Sequence, residues 1–166
     1  MRSGRLRLSK IPPVPESPHA RPPIRPLSAD GEPAWRRLWA GYLRFYRAEV
    51  PEAVTAGTFA RLLDPASGMG GLVAEAGGEV VGICNWVLHA STWSEQPTCY
   101  LQDLYVDPAP RGSGAAKALI LACEALARDR GCFRLDWLTQ EFNAPARSLY
   151  DTVAQRTSFI VYRKPL

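Results

Sequence analysis

"LQDLYVDPAPRGSGAAKALI", residues 101–120, leaves an apolar, strand-like run through two prolines, passes an arginine and a Gly-Ser-Gly step, and enters a run of alanines and leucines. The prolines cannot donate to a strand ladder, so the strand ends there. The helix that follows opens on residues with almost no side chain. The first turn of a helix leaves four backbone N–H groups unpartnered and carries partial positive charge. Small residues at 112–116 let an anion approach those donors, and Arg111 adds a full charge at the rim.

Two familiar phosphate loops do not fit this spacing. A Walker loop needs glycine before its lysine and Ser or Thr after it, whereas Ala116 precedes Lys117 and Ala118 follows. A dinucleotide fingerprint needs Gly or Ala where Lys117 stands, and an early βαβ position that this late turn does not occupy. The remaining spacing, Arg-x-x-Gly-x-Gly/Ala, is met by Arg111, Gly114 and Ala116. Taken alone, the turn reads equally as a glycine-rich strand-to-helix loop.

Downstream, the helix runs to about Arg130, buries Ala115, Leu119, Ala122 and Leu126, and stops at Gly131. "CFRLDWLT" (132–139) is strand-like, with Phe133, Leu135 and Trp137 on one side. A short helix near 143–153 and a final strand, "SFIVYRK" (158–164), follow. Upstream, a strand covers about 98–106. Before it, "GLVAEAGGEVVGICNWVLHAS" holds two β-rich runs joined at Gly77-Gly78, as a tight hairpin with positive φ requires. A helix covers 52–63. Trp35, Leu38, Trp39, Tyr42, Phe45 and Tyr46 fall at steps of three and four, with Arg36, Arg37, Arg44 and Arg47 on the other side. That is an amphipathic helix whose aromatic face packs on a sheet or lines a pocket. "IRPLSAD" (24–30) reads as a short first strand ending in cap chemistry, at Ser28 or Asp30. The order of elements describes a mixed α/β sandwich.

The chain of 166 residues is 46% apolar, enough for one domain with a real core. Residues 1–21 form a Pro/Arg-rich, poorly ordered tail, and 22–166 the folded domain. Seven of the fifteen prolines lie before residue 27. Residues 1–27 carry six basic side chains against Glu16 alone; residues 28–166 carry 14 basic and 15 acidic ones. The net charge of +4 therefore belongs to the tail. A basic tail can touch nucleic acid or a membrane, but a solvated extension is the expectation and a nucleic-acid partner is not; an over-long start to the reading frame also fits. No apolar run approaches the roughly 20 residues that span a bilayer, and the N-terminus has no secretory core. Cys84, Cys99, Cys123 and Cys132 show no paired metal spacing and only two histidines are present, so no metal is expected and a reducing, cytoplasmic setting is the default.

Residues 104–116 resemble the acetyl-CoA motif of the GCN5-related N-acetyltransferases, "LYV-x-P-x-x-R-G-x-G-x-A/G". "NAPARSLY" (143–150) resembles the family's Asn-x-x-Ala-x-x-Leu-Tyr stretch at the expected distance. "AWRRLWAGYLRFYR", "RLLDP", "HASTW" and "LQDLYVD" are similar to the fungal branch that acetylates histones, polyamines or D-amino acids. The resemblance implies a mixed, mostly antiparallel sheet flanked by helices, with a splayed parallel strand pair holding acetyl-CoA. It also implies a homodimer and an acetyl transfer from acetyl-CoA directly to a primary amine. A small amine or amino acid is the expected acceptor; a histone-like lysine, or a non-catalytic acyl-CoA-binding module, are the alternatives.

Carried over residue by residue, the resemblance places the pantetheine arm on the backbone of Leu104, Tyr105 and Val106. It places the pyrophosphate on the amides from Gly112 through Ser113, Gly114 and Ala115 to Ala116, with Arg111 alongside. Asn143 reaches the pantetheine or a water near the attacking group. Tyr150 occupies the position of the acid that meets the departing thiolate, or hydrogen-bonds the cofactor sulfur. Relatives that acetylate polyamines carry an acid where this chain has the neutral Gln102; Asp103, Asp136 and Glu141 all come from segments near the cleft, any of them able to relay a proton or hold a cationic substrate, and Asp103 leads as the base. Adjacent strand positions face opposite ways, so only one of Gln102 and Asp103 is expected to face the cofactor. The cysteines read as small packing residues.

Overall fold

The computed structural model describes residues 21–108 and 113–166. Strand β1 (Ile24–Pro26) leads through a 3-10 turn (Ala29–Gly31) into helices α1 (Glu32–Tyr46) and α2 (Glu52–Leu63). Strands β2 (Met69–Ala76), β3 (Glu79–His89) and β4 (Thr98–Val106) follow, then α3 (Ala115–Asp129), β5 (Arg134–Asp136) and α4 (Ala144–Tyr150). The strands lie side by side in chain order, β1-β2-β3-β4-β5. The first four pair antiparallel and β4–β5 is parallel, the mixed sheet the sequence implied.

Alternation along the strands divides the core in two. Leu72, Ala74, Cys84, Trp86, Cys99 and Leu101 face α3, which covers them with Ala115, Leu119, Ile120, Cys123 and Ala127. Val73 and Ile83 face the other way, under Trp35, Leu38 and Trp39 of α1 and Phe59 and Leu62 of α2. The sheet is thus held between two helical layers, and the aromatic stripe of α1 is one of its lids. The β2–β3 hairpin turns at Gly77 (φ 59°) and Gly78 (φ 81°), both in the left-handed region that a two-residue turn demands. Helix α3 ends with Gly131 left-handed, the Cys132 amide reaching back to the Ala127 carbonyl (2.9 Å) and the Gly131 amide to Arg128 (2.9 Å).

Two expectations are corrected. Neither Ser28 nor Asp30 caps α1: the 3-10 turn intervenes, Gly31 holds the cap position, and Pro33 occupies the first turn. Ser28 instead accepts a hydrogen bond from Arg25 (3.2 Å). The strand over "SFIVYRK" is not formed either. Residues 155–166 carry no helix or strand, and Phe159 (78%), Ile160 (72%) and Tyr162 (89%) are exposed. A run of alternating apolar residues becomes a strand only where another strand completes its ladder, and none does so among the described residues.

Candidate active site

Strands β4 and β5 share only three pairs, Thr98↔Arg134, Cys99↔Leu135 and Tyr100↔Asp136. Beyond Tyr100, β4 continues for six residues along β3 with no strand on its other side among the described residues. The Asp107 amide donates to the Val81 carbonyl (2.8 Å), which marks residues 81 and 107 as a hydrogen-bonded pair. By the alternation of an antiparallel ladder, Tyr105 turns its backbone toward β3, whereas Leu104 and Val106 turn theirs into the opening. The opening therefore presents unpaired strand amides and carbonyls, the surface to which an extended amide-bearing chain adds as a further strand.

The end of β4 delivers the chain to α3. Gly114 stands at its N-cap with φ 70°, and no acidic side chain occupies the first turn. The first intrahelical bond runs from the Ala118 amide to the Gly114 carbonyl (2.9 Å), so the amides of 114–117 precede the ladder. One of them, at Ala115, meets Ser113 Oγ at 3.4 Å. A helix start with small residues and no carboxylate keeps its positive end available to an anion. Ser113, Gly114, Ala115 and Ala116 are brought together there, beside Leu104 and Val106; Arg111 and Gly112 lie outside the described residues.

Asp103 is buried, 8% exposed. A register shift in the β3–β4 ladder puts it there: Asp103 lies opposite Asn85, yet Leu101 lies opposite Trp86, so Gln102 is an extra residue in β4. Leu101 accordingly packs toward α3, Gln102 is exposed, and Asp103 turns under α1. There Asn85 Nδ2 donates to its Oδ2 (3.1 Å), while Trp35 Nε1 donates to Asn85 Oδ1 (3.2 Å) and fixes the amide's orientation. Burial raises the Asp103 pKa above the usual carboxylate value, and the neighbouring Asn85 amide and Tyr42 only partly offset it. Tyr42 is pushed up in turn, by burial first and then by the Asp103 charge.

The aromatic rings of α1 link this carboxylate to Tyr150. Tyr42 lies 4.9 Å from Tyr46, centroid to centroid. Tyr46 and Cys84, from opposite faces of the sheet, are the ionisable neighbours of Tyr150. Trp137 holds Tyr150 edge-on at 5.5 Å. Burial, followed by those neighbours, pushes Tyr150 up to about 12. Asn143 serves locally: its Oδ1 caps α4 at the Ala146 amide (3.4 Å) and its Nδ2 donates to Thr139 (3.4 Å). Asp136 is bound to Arg134 at 2.6 Å, and Glu141 is exposed. Among the described residues no group of three or more His, Cys, Asp or Glu side chains is placed to hold a metal ion, and no helix is long and apolar enough to cross a membrane. Cys84, Cys99 and Cys123 are buried in one core, where contact with one another and burial raise the thiols of Cys99 and Cys123.

Sequence reasoning missed the supports of Asp103. An asparagine in the middle of the apolar run "GICNWV" was the available signal for Asn85, since an amide there must find partners.

A family model described as the acetyltransferase (GNAT) family matches residues 33–153. The D-amino-acid N-acetyltransferase HPA3 of Saccharomyces cerevisiae is 29% identical over 143 residues, covering 85% of this chain and 89% of its own. The thialysine N-epsilon-acetyltransferase of Caenorhabditis elegans is 39% identical over 83 residues, half of this chain (50%) and 51% of its own. Among solved structures, AAC(6')-Iy, in complex with the bisubstrate analogue CoA-S-monomethyl-acetylneamine, superposes with a TM-score of 0.73 at 21% identity, over 87% of this chain and 98% of its own. That likeness concerns the fold.

Proposed function

We propose that this chain, which belongs to the acetyltransferase (GNAT) family and is an acetyl-CoA-dependent N-acetyltransferase, acetylates the primary amine of a small molecule or amino acid. The observation that carries the small-acceptor reading is Asp103: a single carboxylate under an aromatic helix suits one ammonium group. In support, two relatives are named for D-amino acids and for thialysine.

In this reading, Leu104 and Val106 hold the pantetheine arm through the backbone groups they turn into the opening, with Tyr105 between them. The amides of Ser113, Gly114, Ala115 and Ala116 take the diphosphate, joined by Arg111 and Gly112, and Asn143 borders the arm from α4. An alkylamine with a pKa of about 10.4 is neutral in only about one part in a thousand at neutral pH, so Asp103 removes a proton before attack. The Val106 amide then receives the charge that develops on the acetyl oxygen. Tyr150 donates to the departing sulfur. A phenol at about 12 does not fully surrender its proton to a thiolate whose conjugate acid lies at about 8.5, so Tyr150 acts through its hydrogen bond.

Thiol release from acetyl-CoA, measured with polyamines, D- and L-amino acids and a histone peptide, tests the reading. Release is expected with a small amine. Release with the peptide alone would assign the chain to protein lysines instead.

A second copy of the chain completes the assembly in this proposal. The exposed apolar stretch Phe159–Tyr162 takes part in no strand among the described residues, and β5 ends the sheet in the same part of the chain.

A further inference from the structure

Strand β3 carries an amide where a leucine would need no partners. Asn85 is 1% exposed and stands inside the apolar run "GICNWV" (82–87). A buried amide destabilises the fold unless it is hydrogen-bonded, and Asn85 is bonded to two side chains from other elements. Trp35 Nε1 donates to its Oδ1 (3.2 Å), and its Nδ2 donates to Asp103 Oδ2 (3.1 Å). The order of these bonds is forced. An indole N–H only donates, so it must meet the amide oxygen, and the NH₂ is left facing the carboxylate. Trp35 is fully covered, so nothing else competes for that oxygen. The register shift of β3 falls between Asn85 and Trp86 and sets Asp103 opposite Asn85. The added residue in β4 and the misplaced amide in β3 therefore converge on one carboxylate.

Resting on the reading of Asp103 as the base, we propose that Trp35 and Asn85 are positioning residues that hold Asp103 in its proton-accepting form. An asparagine turned the other way would present its oxygen to the carboxyl group. Two facing oxygens need a proton between them, so Asp103 would then be held as a neutral donor, with no capacity to take a proton from an amine. The Trp35 indole excludes that arrangement. With the NH₂ facing it, Asp103 receives a hydrogen bond that favours its charged form against the cost of burial, and Asn85 is the foremost group opposing the rise that burial causes. Because Oδ2 already accepts from the amide, the proton leaving the ammonium goes to Oδ1. One N–H bond breaks, one O–H bond forms, the electron pair stays on the nitrogen for attack, and the carboxyl group ends neutral. Loss of that proton to solvent after product leaves restores the carboxylate.

Asn85→Leu removes the donor while keeping the bulk. It is expected to lower kcat about tenfold, a part of the roughly 10²–10⁴ that a positioned base contributes, and to leave KM for acetyl-CoA unchanged. Trp35→Phe frees the amide to turn, and a smaller loss of kcat is expected. In both, the acid limb of kcat/KM moves to higher pH. The titratable neighbours of Asp103 are Tyr42 of α1 and Tyr100 of β4, with Tyr46, Asp136 and Arg163 acting on these; both phenols lie above their ordinary value and stay neutral across that limb. Placed in an Asp103→Asn background, Asn85→Leu should cost nothing more in kcat, because its effect passes through the carboxylate. The same fold loss in that background would mark Asn85 as a packing residue and overturn the proposal. Wild-type turnover in Asp103→Asn removes the base itself; lost turnover there with wild-type kcat and limb in Asn85→Leu leaves the base standing and sinks the positioning role. If the variants do not fold, nitrogen-15 spectra of the wild-type protein serve. The Asn85 side-chain amide and the Trp35 indole should shift together with the midpoint of the acid limb, and signals that stay still across it contradict the proposal.

Discussion

At Asp103, burial penalises the charged form, so the side chain is neutral over more of the pH scale than a solvated aspartate. Its folded pKa lies above the unfolded one. The stability it contributes is therefore fully present below the unfolded value, near 3.9, and is lost as pH rises through the folded value. Asp103→Asn removes that loss. Thermal unfolding should give a higher Tm than wild type at pH 8 and no gain at pH 3, and a lower Tm at pH 8 would show that the carboxylate's hydrogen bonds outweigh its burial. Tyr150 sits at about 12 and remains protonated through any usable assay range. Tyr150→Phe should lower kcat about 10²-fold when chemistry limits turnover, and leave the alkaline limb of the pH profile where it was. A shifted limb would mean that Tyr150 titrates in the reaction. The two side chains were legible as candidates because each falls within a motif. Trp35 and Asn85 were not legible as the supports of Asp103, because a hydrogen-bond network across three elements has no sequence spacing.

Among the elements, the hairpin at Gly77-Gly78, strand β4 and helix α3 with its glycine stop could all be read from periodicity and turn chemistry. The irregularity of β4 could not. Strict alternation would put Leu101 and Asp103, two positions apart, on one face; Gln102 is an added residue, and it brings them to opposite faces. A bulge depends on the partner strand, not on its own sequence. The glycines at α1 and α3 offer two tests. A Cβ at Gly41 would meet the Tyr105 hydroxyl at 2.6 Å, so Gly41→Ala should lift α1 from β4, cost about 1–3 kcal/mol in denaturant unfolding and reduce kcat by displacing Tyr42. Gly114 has open space around it but φ 70°, so Gly114→Ala strains only the backbone, by about 1–2 kcal/mol. Its expected mark is a raised KM for acetyl-CoA with the amine KM unchanged.

For the whole molecule, the order of elements sufficed to foresee a mixed α/β sandwich and the family resemblance supplied the mixed sheet, while the end of the chain did not follow. "SFIVYRK" has a strand's alternation and no strand partner among the described residues, and the proposed second copy would supply one. Light scattering should report twice the chain mass of 18.3 kDa, and Ile160→Asp should return the protein to the monomer mass. A wild-type monomer at micromolar concentration would contradict the pairing.

The central claim is that bare backbone amides, at the open edge of β4 and the start of α3, grip acetyl-CoA. Residue-resolved amide hydrogen exchange with and without acetyl-CoA measures those groups themselves. The account requires new protection concentrated at Leu104, Val106 and residues 114–117; saturating acetyl-CoA that left these amides exchanging as in the free protein would contradict it.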